Sequence, residues 1–177
     1  MTPFALALSA AMRRLCAASM AVAGLAAVVM MLLVTVEVVG RSFFNVSTMI
    51  ADEMGSYLLV ALTFLGLAPT LRDGGFIRID VYRRRTRGRP LAILDGCIVL
   101  LAIAYAATLD WYLWGLAANS YRLGTTSIQV ARTPLWIPQG IMAVGGTLLL
   151  AELLSRLALV LAGAGAEPAT SSARTEL

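Results

Sequence analysis

The chain alternates long uncharged apolar stretches with short polar segments. Uncharged stretches cover 15–36, 54–71 and 133–151, and a shorter fourth one, 96–109, lies between Asp95 and Asp110. A hydrocarbon core about 30 Å thick is crossed by roughly 20 helical residues. The fourth stretch reaches that length when it is extended past its aspartates. The pattern predicts an all-α integral membrane protein with four transmembrane helices, at about 15–38, 52–71, 91–115 and 134–158.

Composition supports a membrane protein and excludes several kinds of chemistry. Of the 177 residues, 59% are hydrophobic and 14% charged, whereas soluble domains carry about 25% charged residues. The chain contains no histidine, which excludes imidazole-bound haem, His-containing metal sites and His general bases. Cys16 and Cys97 lie in separate apolar stretches and form no CxxC pair. We therefore predict no enzyme activity, no catalytic residue, no metal site and no cofactor.

The distribution of arginine predicts the orientation of the helices. All 14 basic residues are arginine, and seven of them lie between the second and third predicted helices. The segment 37–53, between the first two uncharged stretches, has only Arg41 against three acidic residues. Because cytoplasmic loops carry the excess of basic residues, we expect an N-in/C-in topology with the second connection also cytoplasmic. Residues 1–14 are then a cytoplasmic N-terminus, and residues 161–177 are a disordered cytoplasmic tail.

Arg13 and Arg14, placed before the first apolar stretch, resemble the start of a secretory signal peptide. The stretch 15–36 is longer than a signal-peptide core, which has roughly 7–15 residues. We interpret it as a retained signal-anchor helix.

The second connection has the densest charge. A single short segment of it contains Arg83, Arg84, Arg85, Arg87 and Arg89. Each arginine near an anionic leaflet contributes about 1 kcal/mol of attraction, so the cluster is either a topology determinant alone or an anionic-lipid site. Its juxtamembrane position favours lipid over nucleic acid as the partner. Residues 76–82 alternate apolar and polar side chains and predict a short segment in the membrane interface.

Four charged residues near the expected outer boundary are candidates for a subunit interface. Glu37 and Arg41 are four residues apart with the acid first, the favourable order for a helical ion pair. Asp52 and Glu53 fall at the start of the second helix, where acids interact favourably with the helix dipole. An ion pair and helix capping explain these residues without a partner. Adjacent acids point about 100° apart, however, so one of them is expected to face protein, and we interpret Glu53 as that residue.

Prolines and glycines bear on helix shape and packing. Gly66 and Pro69 predict a kink or an end of the second helix, because proline supplies no backbone donor for the carbonyl of Leu65. Pro138 and Gly140 fall in the first turns of the fourth helix, where proline is tolerated.

Asp95 and Asp110 bracket the third helix. Their separation along the chain corresponds to roughly 22 Å of helix, which predicts positions near opposite membrane boundaries. Trp111, Tyr112 and Trp114 would then form an aromatic belt at the outer boundary. We interpret the two aspartates as anchors or packing contacts.

Several short motifs, taken in order, resemble those of one known family. They are residues 37–45 (EVVGRSFFN), 51–53 (ADE), 63–66 (TFLG), 71–75 (LRDGG), 77–80 (IRID) and 136–140 (WIPQG). In order and spacing the set resembles the small, DctQ-like membrane subunit of tripartite ATP-independent periplasmic (TRAP) transporters. The resemblance covers roughly residues 15–160. Phe76 departs from the pattern, since the family often has histidine there.

This resemblance implies a small permease subunit in a bacterial inner membrane. In the family, a large permease subunit contains the substrate and cation sites, and a periplasmic solute-binding protein delivers an organic acid. The small subunit extends the scaffold of the large one. The implied partners are the large permease and the binding protein, with anionic lipid added by the arginine pattern and no nucleic acid.

Two other classes share many of these features. A self-sufficient homodimeric four-helix exporter needs a membrane-embedded carboxylate, whereas Glu37 follows the first apolar stretch instead of interrupting it. A stand-alone membrane scaffold protein would show nearly all the same sequence features. A thiol-oxidising membrane enzyme is disfavoured, because the chain lacks both the CxxC pair and histidine.

Overall fold

Four helices make up the fold. The computed structural model describes residues 3–45, 50–74, 89–129 and 131–161. The helices are α1 (Pro3–Phe44), α2 (Ile50–Arg72), α3 (Arg89–Leu123) and α4 (Trp136–Leu161). Each contains a stretch long and apolar enough to cross a membrane, and the described residues include no strand. The predicted all-α fold with four membrane-spanning helices is confirmed.

α1 and α3 extend beyond the apolar stretches that predicted them. α1 begins at Pro3 and includes Arg13 and Arg14, which are exposed, whereas the sequence placed the first helix from about residue 15. α3 continues to Leu123 instead of ending near residue 115. A polar residue can remain helical because the backbone hydrogen bonds are satisfied inside the helix. Apolar length is therefore a lower bound on helix length.

A Schellman motif ends α3. Gly124 has a φ of 61°, a left-handed conformation that glycine adopts at little cost. The N–H of Gly124 donates to the carbonyl of Tyr121 at 3.3 Å, and the N–H of Thr125 donates to that of Ser120 at 3.1 Å. The motif fixes the point at which the connection to α4 begins.

One narrow stripe of α1 is buried against its neighbours. The stripe consists of Met12, Cys16, Ser19, Ala23 and Ala26, separated alternately by four and three residues. This spacing keeps one seam of a helix facing a partner helix. The small side chains in it allow close approach of two backbones, as is typical of helices that pack in lipid.

The helices form an open row. α1 packs on α2, α2 packs on α4, and α4 packs on α3, with a smaller contact between α1 and α4. α2 and α4 are therefore central, while α1 and α3 lie at the edges. Within the apolar 18-residue segment of α1 only 11% of residues are buried, against 33% in the corresponding segment of α4. The row thus presents a large apolar surface, as expected of a chain surrounded by lipid or by partner helices.

Two adjacent glycines bring α4 close to both of its neighbours. A Cβ atom at Gly145 would lie 2.6 Å from the carbonyl oxygen of Phe64 on α2. A Cβ atom at Gly146 would lie 2.9 Å from Oδ1 of Asp110 on α3. Both distances are shorter than a carbon atom tolerates, so a larger residue at either position displaces a neighbour.

Some predicted features lie outside the described residues. They are the interfacial segment 76–82 with Phe76, the tail from residue 162, and the side chains of Arg83, Arg84, Arg85 and Arg87. Arg89 is the first residue of α3, but its side chain also lies outside the described part. The N-in/C-in topology stays a prediction.

Candidate subunit interface

Three polar clusters occur along the row of helices, each named here after its carboxylate. The Glu53 cluster lies where α2 begins, and the Glu152 cluster lies near Arg72, where α2 ends. The part of α2 between Glu53 and Arg72 has a length of about 28 Å, close to the thickness of a hydrocarbon core. The Asp110 cluster lies between these two levels.

Glu53 is the largest fully buried side chain among the described residues, with 1% of its surface exposed. Its Oε1 accepts a hydrogen bond from the Tyr57 hydroxyl at 3.0 Å, and its Oε2 accepts one from the N–H of Ala131 at 3.1 Å. The side chains of Ser127 and Thr133 also hydrogen-bond to the carboxylate. Burial of a carboxylate is tolerated when donors occupy its acceptor sites. Glu53 therefore fastens the first turn of α2 to the connection between α3 and α4.

That connection folds back on itself. The N–H of Ser127 donates to the carbonyl of Thr133 at 2.9 Å, and the N–H of Leu135 donates to that of Thr125 at 3.1 Å. Arg132 completes the reversal in a left-handed conformation with a φ of 47°. The reversal presents a backbone N–H to the Glu53 carboxylate, which explains why a loop can be held by a side chain of a distant helix.

The sequence reasoning selected Glu53 for a different reason, namely contact with a partner. Because its side chain is enclosed by residues of the same chain, it has no surface left for a direct contact. Its carboxylate instead positions the α3–α4 connection. No local pattern in the sequence indicates Ala131 as its partner, 78 residues away.

Glu37, Arg41 and Asp52 are more accessible than Glu53. Arg41 and Asp52 are exposed, and Glu37 is partly buried. Glu37 lies in the wall of an apolar groove of about 740 Å³ between α1 and the start of α2. Phe44 lines the same groove and leaves 73% of its own surface exposed. Glu37 thus lies in an open apolar groove, and Arg41 and Asp52 are exposed at the same end of the row.

At the opposite end, Glu152 holds three helices together. It is 3% exposed and forms ion pairs with Arg72 at 2.9 Å and with Arg156 at 3.4 Å. Arg72 also donates to the carbonyl of Ser9 on α1 at 3.0 Å, and Arg156 donates to the carbonyl of Leu71 on α2. A buried charge network of this kind restricts the relative positions of the helices that contribute to it.

Sequence reasoning missed the Glu152 cluster, because it treated Arg72 and Arg156 only as topology determinants. The available signal is an acid that ends the uncharged stretch of the last helix, followed by an arginine four residues later, the favourable order for a helical pair. That signal indicates the pair Glu152–Arg156 and gives no indication of Arg72, which lies 80 residues from Glu152.

The Asp110 cluster connects α3 with α4. The indole N–H of Trp114 donates to the hydroxyl of Thr147 at 3.0 Å. The same hydroxyl lies 3.1 and 3.2 Å from the two carboxylate oxygens of Asp110 and 2.9 Å from the carbonyl of Ala143. Since a hydroxyl has one proton, it donates to only one of these acceptors at a time.

Asp110 lies in the interior of the row. It is near the midpoint of the membrane-spanning stretch Gly96–Leu123, and Thr147 is at the midpoint of Trp136–Ala158. The expected boundary position depended on a third helix that ended near residue 115. α3 instead continues to Leu123, which leaves Trp111 and Tyr112 well inside the helix.

A different aromatic contact is found at the end of α3. Tyr121 packs edge-on against Trp136 of α4, with ring centroids 5.7 Å apart. The side chain of Asp95, the other predicted boundary residue, lies outside the described part of the chain.

The four residues predicted to affect helix packing or kinks differ in their burial and in their contacts. A Cβ atom at Gly66 or Gly140 would meet nothing within 4 Å, so packing inside this chain requires neither glycine. Pro138 is buried in the first turn of α4, where no helical N–H is needed. Pro69 is buried inside α2, which continues to Arg72.

Metal-binding groups are not assembled in the described ranges. There, no three Cys, Asp or Glu side chains come together in a way that would hold a metal ion. Cys16 is buried, Cys97 is exposed, and both are free. The carboxylates of Glu53 and Glu152 instead bind donors of the same chain.

Part of the chain matches a model of a known protein family. The family model described as tripartite ATP-independent periplasmic transporters, DctQ component, matches residues 30–163. This range contains the carboxylates of all three clusters, the whole of α2, α3 and α4, and the last part of α1. No curated protein matches the chain.

Proposed function

The chain belongs to the DctQ component family of TRAP transporters, and from this premise we propose that it is the small permease subunit that scaffolds a large permease subunit. The proposed transporter takes up an organic acid by cation-coupled symport across the bacterial inner membrane, after delivery by a periplasmic solute-binding protein. The family match over residues 30–163 is the observation that carries this proposal.

The internal clusters support a scaffolding role. The Glu53 cluster joins α2 to the α3–α4 connection, and the Glu152 cluster joins α1, α2 and α4. Two of the three clusters therefore use buried charges to hold helices at fixed positions. A row held at both ends is suited to bracing a part of the large permease that does not move.

The exposed surface of the row supports the proposal that a partner subunit binds to it. At the Glu53 end, Arg41 and Asp52 are exposed and are next in sequence to Gly40 and Ala51, which line the same apolar groove as Glu37. Exposed charges around an apolar surface are the arrangement of an interface rim around its core. We propose that Glu37, Arg41 and Asp52 contact the large permease or the docked binding protein. Glu53 contributes by holding the neighbouring connection.

We propose that the N-in/C-in topology predicted from the arginine distribution assigns sides to the two ends. With both termini in the cytoplasm, the Glu53 end faces the periplasm, where a binding protein docks. On the cytoplasmic side, we propose that anionic lipid is bound by Arg83, Arg84, Arg85, Arg87 and Arg89.

Co-purification tests this function. The tagged chain is extracted from membranes in mild detergent, and the proteins retained with it are identified and quantified by mass spectrometry. We expect a larger multi-spanning permease in roughly stoichiometric amount. Recovery of the chain by itself as a stable homodimer would contradict the proposal.

Two substitutions test the interface residues. Arg41→Ala and Asp52→Asn are expected to reduce retention of the large permease and uptake of substrate, because each removes a rim charge. Arg13→Ala is a matched control, since Arg13 is an exposed arginine of the same helix at the other end of the row. Unchanged assembly and uptake in both variants would refute their placement at the interface.

One observation favours the homodimeric exporter as a second candidate. Such a transporter needs a membrane-embedded carboxylate, and Asp110 occupies the middle of its helix. The oligomeric state distinguishes the candidates, because an exporter would function as two copies of this chain without a larger subunit. Membership of the DctQ family favours the accessory subunit.

A further inference from the structure

A second apolar groove lies between α3 and α4. It measures about 620 Å³, and its walls include Trp114, Ala118 and Tyr121 of α3 and Gly140 and Val144 of α4. Ala118 and Val144 are exposed on this surface. The groove is open along its length, so a helix or a lipid chain could lie in it.

The groove ends at the Asp110 cluster. Trp114 belongs to both, since its ring lines the groove and its N–H binds Thr147. One face of α3 contains positions 110, 114, 118 and 121, because they are separated by three or four residues. Positions 140, 144 and 147 share one face of α4 in the same way. A carboxylate thus lies at the mid-membrane end of an otherwise apolar surface.

Asp110 has unused capacity to accept hydrogen bonds. A carboxylate accepts about four, and in the described part of the chain its donor is the Thr147 hydroxyl alone. The single proton of that hydroxyl is shared with the carbonyl of Ala143. A charged side chain in the middle of a bilayer is costly unless it is paired. No described residue supplies a second donor, so a donor from a partner would stabilise the carboxylate.

We propose that a transmembrane helix of the large permease subunit packs in this groove and places a lysine or arginine side chain against Asp110. This inference rests on the proposed function. Complementary charge selects the occupant, because a lipid acyl chain brings no donor to the carboxylate. A second copy of this chain would bring another Asp110 to the same depth and add repulsion. The open space at Gly140 permits close approach of the partner backbone.

Site-specific photo-crosslinking tests the location. The photoreactive residue p-benzoylphenylalanine is introduced at Ala118, which lines the groove, or at Leu116. Leu116 is 47% exposed and lies at nearly the same depth as Ala118. Because the two residues are two positions apart in the helix, the side chain of Leu116 points about 160° away from that of Ala118. We expect the Ala118 probe to crosslink to the separately tagged large permease and the Leu116 probe not to do so. Mass spectrometry of the crosslink should identify a membrane-spanning segment that contains lysine or arginine.

Substitution of the carboxylate tests the pairing. Asp110→Asn keeps the shape of the side chain and its contact with Thr147 but removes the charge. We expect it to weaken association with the large permease by roughly tenfold, while the thermal unfolding midpoint of the isolated chain stays the same. Asp73→Asn is the matched control, because Asp73 is an exposed aspartate in the turn after α2. Asp110→Lys should be rescued by an acidic residue at the crosslinked basic position of the permease.

The outcomes separate this inference from the proposed function. If the wild-type chain retains the permease but the Ala118 probe labels only lipid or a second copy of the chain, the groove assignment is overturned. Full association of the Asp110→Asn variant overturns the pairing. In both cases the accessory-subunit function stands. If the wild-type chain retains no permease at all, the function and the inference fail together.

Discussion

The hydroxyl of Ser19 on α1 donates a hydrogen bond to the carbonyl of Leu65 on α2. In a regular helix this carbonyl would bind the N–H of residue 69, and Pro69 has none. The acceptor left over by the proline is thus occupied from the neighbouring helix, and α2 continues to Arg72. Side chains of neighbouring helices are one means by which membrane helices tolerate proline. The proline thereby specifies a contact between α1 and α2.

Removal of the Ser19 hydroxyl should destabilise the chain. We expect Ser19→Ala to lower the free energy of unfolding by about 1–2 kcal/mol, because the Leu65 carbonyl then has no donor in a partly buried site. Unfolding in mixed micelles with increasing denaturing detergent measures the change. Ser56→Ala is the matched control, since the Ser56 hydroxyl binds a carbonyl of its own helix.

A double-mutant cycle isolates the contact. Pro69→Ala supplies the missing N–H to Leu65, so Ser19→Ala should cost much less in that background. The same loss of stability in both backgrounds would show that Ser19 acts through packing and not through the Leu65 carbonyl.

Glu53→Gln should loosen the connection between α3 and α4. The amide has a single acceptor oxygen and presents N–H groups to donors such as Tyr57 and the N–H of Ala131. We expect a loss of about 2 kcal/mol in the free energy of unfolding, with faster hydrogen exchange in residues 125–135. Asp52→Asn, an exposed neighbour in the same helical turn, should leave exchange in that region unchanged. Equal protection in the Glu53→Gln variant would mean that the connection holds its shape without the carboxylate.

Neutralisation of Glu152 should be among the most damaging changes. Glu152→Gln leaves Arg72 and Arg156 without their counter-charge, and breaking a buried ion pair costs about 3–5 kcal/mol. The loss will be smaller here because each arginine side chain is 25% exposed. Detergent-induced unfolding measures it, with Asp73→Asn as an exposed control from the same end of the row. A variant as stable as the wild type would show that the network adds nothing to the three-helix contact.

Substitution by alanine should have different effects at a glycine that contacts a neighbouring helix and at a glycine with open space around it. At Gly145 the added methyl group meets the backbone of Phe64, and we expect Gly145→Ala to destabilise the α2–α4 contact by about 1–3 kcal/mol. Gly66→Ala meets no atom of the described residues within 4 Å and should stabilise α2 slightly through helix propensity. Thermal unfolding of the purified chain in detergent tests both. Similar effects of the two substitutions would contradict the close approach at Gly145.

Residues with local roles were predictable from the sequence, whereas residues with distant partners were not. Asp52 and Glu53 stand next to each other, and the sequence placed both correctly in the first turn of α2. It had no means of telling the exposed Asp52 from the buried Glu53, because the difference comes from the α3–α4 connection. Asp110 was placed near a boundary because it lies roughly 22 Å from Asp95 along a helix that was expected to end near residue 115, whereas α3 continues to Leu123.

The number of helices, their approximate positions and the family follow from the sequence by itself. Membrane thickness imposes a length and an apolar character on each span, and both are properties of consecutive residues. The order of the helices in the row is decided only by the tertiary structure, because apolar faces in lipid carry little information about which helix packs on which. That order brings Glu53 to Ala131 and Arg72 to Glu152, which are 78 and 80 residues apart. It also leaves an apolar groove between α3 and α4 that ends at the Asp110 cluster, with Trp114 belonging to both.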